Sequence, residues 1–125
     1  MAHLEEPIVR TPEPPYYAVI FTSLRTAANP EAYDNVAGQM VELAHGQPGF
    51  LGIESESARD KSGAGITVSY WASEQAIFAW KRVAEHRAAQ RLGRERWYGD
   101  YTVRVARVER AYTLASSAGA GIEER

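Results

Sequence analysis

Ile66-Thr67-Val68-Ser69-Tyr70-Trp71, followed by Ala72-Ser73-Glu74 and a run through Trp80, Lys81, Glu85 and His86, reads as a strand, a tight corner and a helix. Val, Thr, Tyr and Trp suit a half-buried pleated surface. Ser73 can accept a hydrogen bond from a free N–H of the next turn, and Glu74 complements the positive end of a helix, so the helix is predicted to start there. The stretch holds two of the three tryptophans and one of the three histidines, and the wall of any site is expected in it.

Upstream of it, Gly65 to Trp71 is the return strand of a hairpin whose first strand is Phe50 to Ser57. Leu51 and Ile53 alternate there with Gly52, Glu54 and Glu56, and Arg59-Asp60-Lys61-Ser62-Gly63 has loop composition. Before the hairpin, Asn29-Pro30-Glu31 is a strong helix start: Asn caps, Pro fits the first helical position, and Glu suits the dipole. Tyr33, Val36, Ala37, Met40, Leu43 and Ala44 recur at helical spacing. Gly46 stops that helix and Pro48 prevents its continuation. His45 falls in the last turn, where a cation is favoured. Tyr16 to Leu24 is a nearly continuous apolar run, as expected of a central strand covered on both faces. Downstream, the second helix is predicted from Ser73 to Arg87 or beyond, with a break at Gly93, a short turn carrying Trp97 and Tyr98, and a last strand from Tyr101 to Tyr112.

The order strand, helix, hairpin, helix, strand predicts an α+β fold: a ferredoxin-like βαββαβ unit with a four-stranded antiparallel sheet. Right-handed crossovers place both helices on one face. The opposite face, rich in apolar residues, is left open, so a homodimer through the open sheet face is expected. Residues 1–15, with Pro12, Pro14 and Pro15, read as an extended arm that is loose or packed along a partner subunit. Residues 16–113 form the domain, and residues 114–125, Ser-, Ala- and Gly-rich, read as a flexible tail.

The 125 residues fit one domain, and a net charge of −2 argues against nucleic acid as a partner. The absence of cysteine removes disulfides, thiolate metal sites and cysteine nucleophiles. No apolar run approaches a membrane span, and Met1-Ala2-His3-Leu4-Glu5-Glu6 lacks a signal-peptide core, so a cytoplasmic location is expected. Three scattered histidines make no metal motif.

The pattern Tyr-Tyr-Ala-Val-Ile-Phe-Thr-Ser at 16–23, Gln47-Pro48-Gly49-Phe50-Leu51-Gly52, Ile66 to Trp71, Trp80-Lys81 with Ala84-Glu85-His86, and Gly93-Arg94 before Trp97-Tyr98 resembles the antibiotic biosynthesis monooxygenase (ABM) domain family of the dimeric α/β-barrel superfamily. The resemblance implies a cofactor-independent monooxygenase acting on a small aromatic compound, a quinol or polycyclic phenol. Such an enzyme needs a dry pocket, a base and donors for an anion. His86 is the expected base. Tyr70, Trp71, Trp80, Trp97 and Tyr98 are the expected aromatic walls, and Arg94 or Arg104 the holder of an oxyanion. Some family members degrade heme with an Asn on the first strand and a Trp and a His on the second helix. Here Trp80 matches. The Asn position falls at Thr22 or Ser23, and the His position falls near Gln90, one turn beyond His86. No cofactor is therefore expected, with heme the exception the resemblance leaves open. The alternative function is a non-catalytic dimer that binds a hydrophobic ligand or heme, or a divergent heme-degrading enzyme.

Overall fold

The computed structural model describes residues 7–27, 30–60, 62–91 and 97–118. Its elements run β1 (Tyr16–Arg25), α1 (Pro30–His45), β2 (Phe50–Ser57), β3 (Ala64–Trp71), α2 (Glu74–Arg91), β4 (Tyr98–Val108) and α3 (Leu114–Ala118). The strands form an antiparallel sheet in the order β2-β3-β1-β4, so the apolar run of β1 lies inside the sheet, as its composition predicts. The fold is the expected ferredoxin-like α+β arrangement, with an open sheet.

Register decides what each face carries. Tyr17 pairs with Trp71, Val19 with Ser69 and Phe21 with Thr67, so these residues share one face. The helices pack on it, because Trp71 there stacks on Trp80 of α2. Tyr16, Ala18, Ile20, Thr22 and Leu24 share the other face with Tyr70, Val68 and Ile66.

The corners follow from local chemistry. Ser73 Oγ accepts the Ala76 N–H at 3.1 Å, the predicted cap of α2. Gly46 N–H reaches the Leu43 carbonyl at 3.1 Å and closes α1. Gly49, at φ +86°, brings β2 so near α2 that a methyl there would stand 2.7 Å from Ala76 Cβ. Asn29, the expected cap of α1, lies outside the described residues.

One boundary moves, and the arm and the start of the tail take definite positions. β4 starts at Tyr98, not Tyr101, because a register shift at Leu24/Arg25 lets Tyr98 pair with Arg25. The described part of the arm, residues 7–15, lies against its own sheet, on the face opposite the helices. Val9 N–H donates to Glu54 Oε2 at 2.9 Å, and Thr11 Oγ1 donates to Tyr16 Oη at 2.8 Å. Val9 sits over Gly52, where a methyl would collide with its Cγ1. The start of the expected flexible tail forms the short helix α3, because Thr113 and Ser116 cap each other: Ser116 N–H donates to Thr113 Oγ1, and Thr113 N–H to Ser116 Oγ, each at 3.0 Å.

Candidate functional site

β1, β2 and α2 run from the Trp71 end of the sheet toward the Arg25 end, and α1, β3 and β4 run back the other way. The helix side therefore has two ends, and each holds an aromatic cluster. Their anchors on α1, His45 and Tyr33, are separated by roughly 18 Å of helix, too far for one small molecule to touch both.

At the first end Trp71 is 0% exposed. Its ring stacks on Trp80 at 5.9 Å between centroids and takes the edge of Phe50 at 5.2 Å. Its Nε1–H donates to Ser69 Oγ at 2.8 Å, which satisfies the indole inside the core. His45 packs against Phe50 at 4.9 Å, so this histidine closes the aromatic stack as well as ending α1. Trp71 is thus a support for Trp80 and Phe50, both half-buried, with exposed His45 at the edge of the stack.

At the second end Tyr33 from α1 meets Trp97 and Tyr98. The Tyr33 and Tyr98 hydroxyls are 2.9 Å apart, and the Tyr33 ring takes the edge of Trp97 at 5.6 Å. Phe21 from β1 packs on Tyr98 at 5.2 Å and on Tyr101 at 5.4 Å. The Arg25 guanidinium lies 3.6 Å over the Tyr33 ring, a cation–π contact. The base of this corner is fixed by the backbone: Arg25 N–H donates to the Gly63 carbonyl at 2.9 Å and Thr26 N–H to the Trp97 carbonyl at 2.8 Å. Burial, and after it the Tyr33 hydroxyl, pushes the Tyr98 phenol above its ordinary value, while the Arg25 charge pulls the other way.

The expected site residues therefore separate. Trp71 and Trp80 stand at one end, Trp97 and Tyr98 at the other. Tyr70 is on the opposite face of the sheet, where its hydroxyl donates to Glu54 Oε1 at 2.7 Å beside the Tyr16 ring. Burial and that carboxylate hold the Tyr70 phenol protonated well past its ordinary range. Strand alternation itself parts Tyr70 from its neighbour Trp71. His86 is exposed on α2, roughly 18 Å along the helix from Glu74 and so toward the tyrosine end. Arg104 pairs with Ile20 and belongs to the face away from the helices. Arg94 lies outside the described residues.

Sequence reasoning missed Arg25, Tyr33, Phe21 and Tyr101. Tyr33 reads as one more position of the α1 apolar stripe and Arg25 as a strand end. Their meeting depends on Tyr98 arriving from 65 residues further along the chain than Tyr33. Among the described residues no group of three or more His, Cys, Asp or Glu is placed to hold a metal ion. Among them, no helix is long and apolar enough to cross a membrane.

The family model described as antibiotic biosynthesis monooxygenase matches residues 15–92. A Bacillus subtilis relative, the uncharacterised protein YqjZ, is 54% identical over 101 residues, 81% of this chain and 86% of the relative. A Pyricularia oryzae protein named jasmonate monooxygenase ABM is 26% identical over 92 residues, 74% of this chain but 43% of that longer protein. Among solved structures, Streptomyces nogalater SnoaB, described as a cofactor-independent oxygenase, superposes with a TM-score of 0.60 at 16% identity, covering 81% of this chain and 98% of that one. At that identity the likeness is one of fold.

Proposed function

The chain belongs to the antibiotic biosynthesis monooxygenase family, and we propose that it is a cofactor-independent monooxygenase acting on a small aromatic compound, a quinol or a polycyclic phenol. The observation that carries this reading is the tyrosine end: a half-exposed aromatic corner holding a cation and two phenolic hydroxyls. The monooxygenase name of the Pyricularia oryzae relative and the oxygenase description of SnoaB favour it.

For a quinol the chemistry closes without an added reductant. One atom of O2 enters a ring C–H, the other leaves as water, and the four electrons come from the ring, which ends as a hydroxyquinone. The protein's part is to exclude water, remove the phenolic proton and hold the electron-rich anion. His86 is the proposed base, since α2 carries this imidazole toward this end. The aromatic wall is Tyr98, backed by the buried Trp97, and Trp80 stands at the other end of the helix side.

Heme fits these residues less well. Trp80 has one ring face covered by Trp71, Thr22 belongs to the sheet face opposite Trp80, and Ser23 on the near face lacks the amide of an Asn. No step is therefore routed through heme.

The working form is proposed to be a homodimer. On the open face Leu24 and Ile66 are 45% and 44% exposed beside Ile20 and Val68. Light scattering should give twice the chain mass for the parent and the single mass for Leu24→Glu with Ile66→Glu; a monomeric parent ends this part of the reading.

Oxygen uptake with a panel of quinols and polycyclic phenols tests the activity. The expected result is one O2 consumed per quinol, with loss of most turnover in folded His86→Ala. No uptake across the panel by folded protein sinks the oxygenase reading; full activity in His86→Ala removes the base assignment alone.

A further inference from the structure

We propose that Arg25 and the Tyr33–Tyr98 hydroxyl pair form an anion-accepting corner that takes the carboxylate or phenolate oxygen of an aromatic ligand, whose ring lies against Phe21 and Tyr101. This deepens the proposed function by naming the ligand class, and it rests on reading the tyrosine end as the substrate site.

The argument begins with what Arg25 has not spent. Its contact with Tyr33 is made through the guanidinium plane, 3.6 Å above the ring. The N–H donors point outward in that plane, so stacking leaves them available. Among the described residues no carboxylate pairs with Arg25; the ion pairs there join Lys81 to Glu85 and Arg107 to Glu109. Arg25 is also half-buried, where an unneutralised cation is drawn to an anion more strongly than in open water.

The hydroxyl pair adds a donor by simple counting. Tyr33 and Tyr98 together carry two hydroxyl protons, and their mutual 2.9 Å hydrogen bond uses one. The second remains to donate to an incoming oxygen. The raised position of the Tyr98 phenol keeps that proton in place at neutral pH. An anionic oxygen would then meet one guanidinium and one neutral O–H, both charge-assisted contacts.

The walls fit a flat ring. Tyr101 is 58% exposed and inclined at 36° to Phe21, a ledge open to solvent, and the buried Trp97 holds Tyr33 in place from behind. A ring that slid onto this ledge would gain aromatic contact on one side. Among the described residues, the acidic groups near this end make no ion pair with the cation. Asp100 accepts the Tyr101 N–H at 2.8 Å, and Glu31 is exposed in the first turn of α1.

The test is equilibrium binding, which needs no turnover. Calorimetric titration with 2-naphthoate and its neutral isostere 2-naphthamide forms the carboxylate arm; a second arm follows the absorbance shift of 4-nitrophenolate. Folded parent protein should bind naphthoate about tenfold tighter than naphthamide. In Arg25→Gln that ratio should fall to about one with naphthamide affinity kept, and Arg25→Lys should restore part of it. Tyr33→Phe combined with Tyr98→Phe, which removes the last hydroxyl donor, should cost about threefold for the anion alone. A red-shifted, saturable nitrophenolate signal lost in Arg25→Gln extends the corner to phenolates; its absence with naphthoate selectivity intact restricts it to carboxylates. Equal affinity for naphthoate and naphthamide, a ratio unchanged by Arg25→Gln, or binding of neither probe overturns the proposal. Charge selectivity without oxygen uptake keeps the corner and ends the oxygenase reading. Oxygen uptake without charge selectivity does the reverse.

Discussion

At one end of the helix side, Trp71 is sealed by Phe50 and Trp80, and its only polar atom is bonded to Ser69 within the core. At the other end, Tyr33 and Tyr98 bond to each other, a guanidinium lies on one of the rings, and Tyr101 stands open to solvent. Both ends are rich in aromatics, and richness alone does not distinguish scaffold from site. The difference is where the polar edges are satisfied. The tryptophan cluster closes on itself and stabilises the fold. The tyrosine cluster keeps a donor and a cation for something that is not part of the chain.

The strongest challenge to this division is Trp71→Ala, expected to destabilise the protein by about 4 kcal/mol through cavity formation, read from urea denaturation. A loss below about 1 kcal/mol would mean that the tryptophan end is not a scaffold. Gly52→Val comes next. It drives a side chain into Val9 and should cost about 2 kcal/mol or lift the arm, seen as faster proteolysis ahead of Tyr16 with the sheet intact. An unchanged cleavage rate would detach the arm from the role assigned to Gly52 and Glu54.

Tyr98→Phe should be milder, about 1 kcal/mol at neutral pH for one lost hydroxyl bond. Its sharper signature is at high pH. The folded Tyr98 and Tyr70 phenols hold their protons above the ordinary value of 10.0, whereas the unfolded chain ionises near it. The unfolded state then binds fewer protons, so this stability is full below pH ~10 and is lost as pH rises beyond it. Tyr98→Phe should flatten that decline; an equal slope in both proteins would show that Tyr98 is not held in its neutral form. Lys81→Ala sets the lower bound. Its pair with Glu85, at 3.8 Å and largely exposed, should be worth under about 0.5 kcal/mol.

Much of this architecture could be read along the chain. The apolar run of β1 announced an inner strand, Ser73 announced the start of α2, and Gly46 the end of α1. The site was less legible. Tyr70 and Trp71 were grouped by adjacency, although a strand sends neighbours to opposite faces. Trp71 and Trp97 were grouped by type, although the fold holds them at opposite ends of α1. Arg25 gave no signal, because a charged residue at a strand end is ordinary until an aromatic ring arrives beneath it.

Elements, their order and their caps lie within the reach of sequence because they depend on contacts a few residues apart: a hydroxyl and an amide three positions on, or a glycine where a side chain cannot pass. The meeting of Arg25, Tyr33 and Tyr98 belongs to the tertiary structure. It requires β4 to pair beside β1, a register shift at Leu24/Arg25 to bring in Tyr98, and α1 to cross back over the sheet. The docking of the arm has the same origin, since Val9 and Glu54 are 45 residues apart and meet only once β2 has taken its place at the sheet edge.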